Sequence, residues 1–209
     1  MKTVLLALVT AALTLPSLAS AEEFCGKLVD GHYGPYDYRS EKGKLEIVDR
    51  AHFTEAVEAG KSGTTSYLGG DLSYTLRASP NHHRALATLA RIALRDKTLM
   101  VPHMKWPVEC YFLRAERYTP DDPSVYSIYA SYLYSLGKVD KALVKYKQAV
   151  ELDPESAMIN YNIGLVYLKK NNFEQALTHA HKAYDQGYPL PGLKNQLVKA
   201  GKWVERPAK

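Results

Sequence analysis

Cysteine is scarce in this 209-residue chain, long apolar runs are scarcer, and no familiar reaction motif is present. Two cysteines, Cys25 and Cys110, are too few for a disulfide-dense scaffold, and neither sits in a C-x-x-C pair that could depress a thiol pKa. No stretch after Leu15 is apolar enough to span a bilayer. G-x-S-x-G, P-loop, G-x-G-x-x-G and H-E-x-x-H patterns are missing, and Gly69-Gly70 stands isolated. The 27 Lys/Arg against 22 Asp/Glu leave a net charge of +5 spread along the chain, with no basic run to grip nucleic acid. These gaps argue against nucleophilic, phosphate-handling and nucleic-acid-binding classes. The chain is expected to be non-catalytic and to hold neither cofactor nor metal.

The N-terminus reads as an address. Lys2 supplies the charged start, Val4 to Leu15 the apolar stretch, and Ala19-Ser20-Ala21 an A-x-A cleavage site before Glu22. Residues 1–21 are therefore expected to be a signal peptide. The expected location is periplasmic or secreted, of Gram-negative type, with no membrane insertion once the segment is removed. In that oxidising setting Cys25 and Cys110 are expected to be joined.

Residues 124–186 carry an internal repeat. SVYSIYASYLYSLGKVDKALVKYKQAVELDP begins at Ser124, and AMINYNIGLVYLKKNNFEQALTHAHKAYDQG follows with Met158 one 34-residue period after Ser124. The shift carries Ala130 to Gly164, Leu133 to Tyr167, Ala142 to Ala176 and Ala149 to Ala183. Small residues at these positions let paired helices approach, and larger ones fill the space between pairs. Gly137 suits the turn after a first helix, and Pro154 ends a second one. This pattern resembles the tetratricopeptide repeat. The stretches HYGPYDYR and AYDQGYPLPGLKNQLVKAGKW further resemble exported bacterial tetratricopeptide proteins, a likeness that carries no activity with it.

The resemblance implies an all-α, right-handed tetratricopeptide superhelix of about three helix-turn-helix repeats with a C-terminal capping helix and an irregular N-terminal arm. The expected divisions are a signal peptide at 1–21, the arm at 22–67, degenerate and interrupted helices at 68–123, repeats at 124–157 and 158–189, and the capping helix and tail at 190–209. Within 68–123, Gly69 to Ser79 reads as a lone second helix. His83 to Arg95 and Val108 to Tyr118 read as a pair separated by a loop over Lys97 to Trp106, and Ala51 to Ala59 as a short helix inside the arm.

First helices of such repeats line a concave groove. Carried onto this chain, the lining residues are Arg84, Arg91, Ser127, Ser131, Tyr134, Met158, Tyr161, Leu165 and Leu168: basic at one end, polar in the middle, apolar at the other. The Lys/Arg and Asn clamp with which some members hold a C-terminal carboxylate is absent. The implied function is a periplasmic scaffold binding a partner protein or peptide in this groove, with assistance in assembling an envelope complex as one expected role. Two readings compete with it. One is a structural subunit that self-assembles into an oligomer or filament. The other is a small-ligand or metal-binding protein using His32, the Tyr33–Tyr38 cluster and His82/His83. Satisfied or capping histidines, and tyrosines that seal the arm, are the simpler reading of those residues.

Overall fold

The computed structural model describes residues 24–29 and 33–205. The expected signal peptide and His32 lie outside the described residues. Among these residues the ordered elements are helices, α1 (Lys42–His52), α2 (Glu55–Glu58), α3 (Leu68–Ala78), α4 (His83–Arg95), α5 (Val108–Tyr118), α6 (Pro123–Ser135), α7 (Val139–Leu152), α8 (Ala157–Lys169), α9 (Phe173–Asp185) and α10 (Gly192–Lys199). They form a tetratricopeptide superhelix. The pairs α6/α7 and α8/α9 recur at the 34-residue spacing.

Helix starts are set by local chemistry. Asp122 Oδ1 accepts from Ser124 N at 3.1 Å with Pro123 at the first helical position of α6. Ser156 and Asn172 cap α8 and α9 in the same manner. His82 caps α4: its Nδ1 accepts from Ala85 N at 3.1 Å while Nε2 faces Asp49 Oδ1 at 3.0 Å. Turns end the first helices, and Gly137 takes φ +76° after α6, a backbone conformation without penalty only for glycine.

The core is continuous along the stack. Leu72, Leu86, Ile92, Tyr111, Phe112, Tyr129 and Leu133 bury between α3 and α7, and Tyr146, Ile163, Val166, Ala176, Leu193 and Leu197 bury between α7 and α10. Gly164 lies under the capping helix: a Cβ there would stand 2.5 Å from Leu193 Cδ2. Trp203 folds back against Tyr184 and His181.

The stretch read as an irregular arm departs from that description. It holds the eleven-residue helix α1, whose Leu45 and Val48 bury against Ala78 of α3. The short helix expected over 51–59 is only Glu55–Glu58, because α1 runs through His52 and breaks at Phe53. Helices α1 and α3 pack together as a pair, as α4 and α5 do. Both pairs are about six residues longer than the 34-residue unit, the surplus lying in the loops inside each pair. Alternation of Gly, Thr and Ser over 60–70 hid the first of these pairs from pattern reading.

The first turn of chain is pinned from several sides. Cys25 and Cys110 are bonded. The fully buried Arg114 donates through Nη1 to the carbonyls of Cys25, Gly26 and Lys27 at 3.2, 3.2 and 2.6 Å. Its guanidinium lies 4.2 Å from the centre of the Trp106 ring.

Candidate protein-interaction groove

Helices α4, α6 and α8 carry the residues expected to line a groove, and those residues do not share one fate. Arg84 and Arg91 are exposed but engaged with the chain itself. Arg84 Nε donates to Glu58 Oε1 at 2.7 Å, with a second bond between Nη2 and Oε2, and this pairing holds the Glu58 carboxyl below its usual range. Arg91 donates to the carbonyls of Ala59 (3.0 Å) and Glu58, Thr88 Oγ1 to Glu58 O (3.1 Å), and Arg95 Nη1 to Gly60 O (2.8 Å). Three side chains of α4, Thr88, Arg91 and Arg95, thus collect the free carbonyls at the end of α2, where a short helix has no partners of its own, and Arg84 pairs with the Glu58 carboxylate. The basic end of the expected groove is a seat for α2.

The apolar end is also partly filled by the chain. Tyr161 is buried, its ring stacked 4.2 Å from Tyr188, and Gly192 sits against its hydroxyl. Leu165 and Leu168 are half-buried in the cluster that includes Tyr188 and Trp203. Met158 is exposed. The turn after Gly187 thus covers the side chain expected to anchor a partner, leaving Met158 alone at the rim.

The centre remains open. Ala87, Ala90, Arg91 and Leu94 of α4 face Ile128, Ser131, Tyr132 and Ser135 of α6 across a cleft of about 320 Å³. Its floor is small and aliphatic, because Ala87 and Ala90 stand where bulkier side chains would close the gap. Ser131 Oγ bonds the Tyr146 hydroxyl at 2.6 Å, which fixes one polar wall. Ser127 is buried beneath, and Tyr134 borders both halves of the core. Arg91, held by α2, is the charged group at the rim. Such a cleft accepts one apolar side chain and offers a guanidinium and hydroxyls to the backbone around it. The α4–α6 spacing that opens it could have been suspected from Ala87 and Ala90, two small residues on one helix face.

The described residues of the ligand-binding reading, Tyr33, Tyr36, Tyr38, His82 and His83, make contacts within the chain. His83 Nε2 faces Asp122 Oδ2 at 2.7 Å, and Asn81 Nδ2 donates to Asp37 Oδ1 (2.8 Å) and Asp122 Oδ2 (3.1 Å). Arg39, bonded to Asp37, is the main reason that carboxyl titrates at about 2. Tyr38 packs on both His82 and His83, and Tyr33 sits edge-on to Tyr36. Together they fasten the arm to the turn before α6. Among the described residues no three His, Cys, Asp or Glu side chains converge as a metal site would require.

Comparison with known proteins gives the pattern its name. Residues 131–171 match the family model described as TPR repeat, and residues 158–185 match that described as Tetratricopeptide repeat. No curated protein matches the chain. Among solved structures, PilF of Pseudomonas aeruginosa is 18% identical, with 78% of this chain and 70% of that one covered and a TM-score of 0.53. MamA of AMB-1 is 20% identical over 68% of this chain and 75% of that one, with a TM-score of 0.45. MamA of MSR-1 is 19% identical over 72% and 80%, again at 0.45. At these identities the likeness is one of fold.

Proposed function

We propose, for a chain whose residues 131–185 are tetratricopeptide repeats, that it is an exported scaffold whose α4–α6 cleft holds an apolar side chain of a partner protein. Repeats of this kind point to protein–protein interaction in general. The finer reading rests on one observation: the chain itself engages Arg84 at one end and covers Tyr161 at the other, with a cleft between them at Ala87, Ala90, Leu94 and Ile128. The partner segment is short, with a bulky apolar residue flanked by carbonyls or a carboxylate that Arg91 can meet. Export is supported by the signal-like pattern of residues 1–21 and by the Cys25–Cys110 bond. No described helix is long and apolar enough to cross a membrane.

The test is substitution inside the cleft. Ala87→Asp with Ser135→Asp puts two charges on its walls at exposed positions. Affinity for a partner identified with the wild-type protein should fall at least tenfold while the melting temperature stays within a few degrees. Unchanged affinity removes the cleft from the proposal. Tyr161→Asp is unsuitable, since that ring supports the Tyr188 turn.

A further inference from the structure

The two N-terminal helix pairs place their surplus residues in neighbouring loops, where apolar and cationic side chains outnumber the exposed carboxylates of Asp96 and Glu109. Tyr67, at the end of the loop inside the first pair, stacks on His103 in the loop inside the second, with ring centres 3.8 Å apart and planes within 7°. Further along the second loop, Leu99 and Met100 project outward. Phe24 lines the same apolar cleft as Leu99, beside the disulfide. Phe24 is 70% exposed, Tyr67 67%, Leu99 65% and Met100 48%, so four large apolar side chains face solvent on neighbouring loops. Residues 24–29, 61–67 and 97–107 contain Lys27, Lys61, Lys97 and Lys105, and no Asp or Glu among them.

These loops are built to hold their shape. Val101 and Met104 bury beneath the second loop, and Val108 N donates to Leu99 O at 2.9 Å. The Asp71 carboxylate, 1% exposed, fixes the first loop by accepting from Thr64 N at 2.6 Å and Thr65 N at 3.0 Å. The disulfide and Arg114 fix residues 25–27, and Gly26 lies against the Trp106 ring. Exposed apolar side chains on rigid loops do not collapse into the core; they are held out.

We propose that this edge is a peripheral docking surface for an anionic lipid bilayer. Exposed apolar side chains on loops suit a soft boundary that they can enter without a shaped partner. The lysines around them are long enough to reach headgroup phosphates while their stems lie along the apolar boundary. Four lysines against two exposed carboxylates, Glu109 and an Asp96 already paired with Arg95, leave the edge net positive toward anionic headgroups. Among the described residues Lys27 and Lys97 take part in no ion pair, so headgroups would not have to displace an internal partner. The surface lies on the loop edge rather than in the α4–α6 cleft, so bilayer and protein partner could be held together.

Co-sedimentation of the full chain with vesicles decides it. The probes are mixed phosphatidylglycerol/phosphatidylcholine vesicles and pure phosphatidylcholine vesicles, at low and high salt. Wild type should partition onto the anionic vesicles at least tenfold more strongly than onto the neutral ones, and salt should weaken that partition. Leu99→Asp with Met100→Asp, and separately Lys97→Glu with Lys105→Glu, should each reduce it at least tenfold. Lys199→Glu with Lys202→Glu, an equal charge change at the far end, should reduce it less than threefold. All these positions are exposed, and an unchanged melting temperature shows that a variant has kept its fold. No association with anionic vesicles overturns the proposal. So does association that survives the Leu99/Met100 substitutions, which would place it in residues 1–23, or loss that is equal for the near and remote lysine pairs. A dimer that L99D/M100D dissolves, without vesicle association, would also overturn it.

Discussion

His179 should make the last repeat fail first in mild acid. Its side chain is 8% exposed, inside α9, stacked on Tyr167. Nδ1 donates to Asn160 Oδ1 at 2.8 Å, and Asn160 in turn donates to the carbonyls of Pro154 and Ser156. Burial disfavours the charged ring and lowers its pKa from 6.5 to about 4, with Lys182 adding a smaller push in the same direction. The unfolded chain takes up this proton as pH falls through 6.5, whereas the folded chain resists until about 4, so this contribution is full above 6.5 and lost between the two values. Linkage with these values gives a loss of about 2 kcal/mol between pH 7.5 and pH 5, and about 3 kcal/mol by pH 4. Urea unfolding of wild type and His179→Gln across that range isolates the effect, since glutamine retains a donor for Asn160 but binds no proton. The wild type should lose about 2 kcal/mol more than the variant by pH 5. Parallel pH profiles would refute the burial argument, as would a His179 NMR titration with a midpoint near 6.5.

Three further outcomes follow from the packing. A Cβ on Gly69 would stand 2.0 Å from the Pro102 carbonyl oxygen, so Gly69→Ala must push the second loop away; a loss of about 1–3 kcal/mol in thermal or urea unfolding is expected. Reducing Cys25–Cys110, or replacing both by serine, should cost about 4–5 kcal/mol on the chain-entropy model and expose residues 24–29 to proteolysis. Asp71→Asn replaces one of the two accepting oxygens by an amide donor; it should cost about 2 kcal/mol and raise hydrogen exchange over 61–67. The Asp71 carboxyl titrates at about 2 instead of 3.8, because hydrogen bonds from Thr65, His52 and Thr64 outweigh its burial. Its contribution therefore stands above pH 3.8 and is lost as pH falls toward 2, well after that of His179.

The repeats were legible because their rule is local. Ala130, Gly164, Ala142 and Ala176 recur at a fixed period, and each small residue reports a helix crossing. The same logic located α3, α4, α5 and the capping helix. Helix α1 was not legible: Lys42 to His52 is mostly polar, and its only fully buried anchors, Leu45 and Val48, are too few to set a period. Which of the expected lining residues the chain itself engages was not legible. Arg84 and Arg91 have the type and spacing of ligand-binding side chains, yet whether they meet a partner or the carbonyls of α2 depends on contacts about 30 residues apart, which no motif encodes. Tyr161 is similar, since its cover, Tyr188, is placed by the turn after Gly187. A capping histidine is the simpler reading of His82, and its side chain does cap α4, although histidine lies outside the usual Ser, Thr, Asp and Asn set.

The most direct measurement is site-specific photo-crosslinking in exporting cells, with the reactive residue at Ser131 inside the cleft and, in a parallel chain, at Val144 on α7, which is 57% exposed. A single defined adduct from position 131, absent from position 144 and lost with the Ala87→Asp/Ser135→Asp pair, is the expected result. Adducts equal at both positions, or none from position 131 when the partner is captured elsewhere on the surface, would contradict a partner held in the α4–α6 cleft.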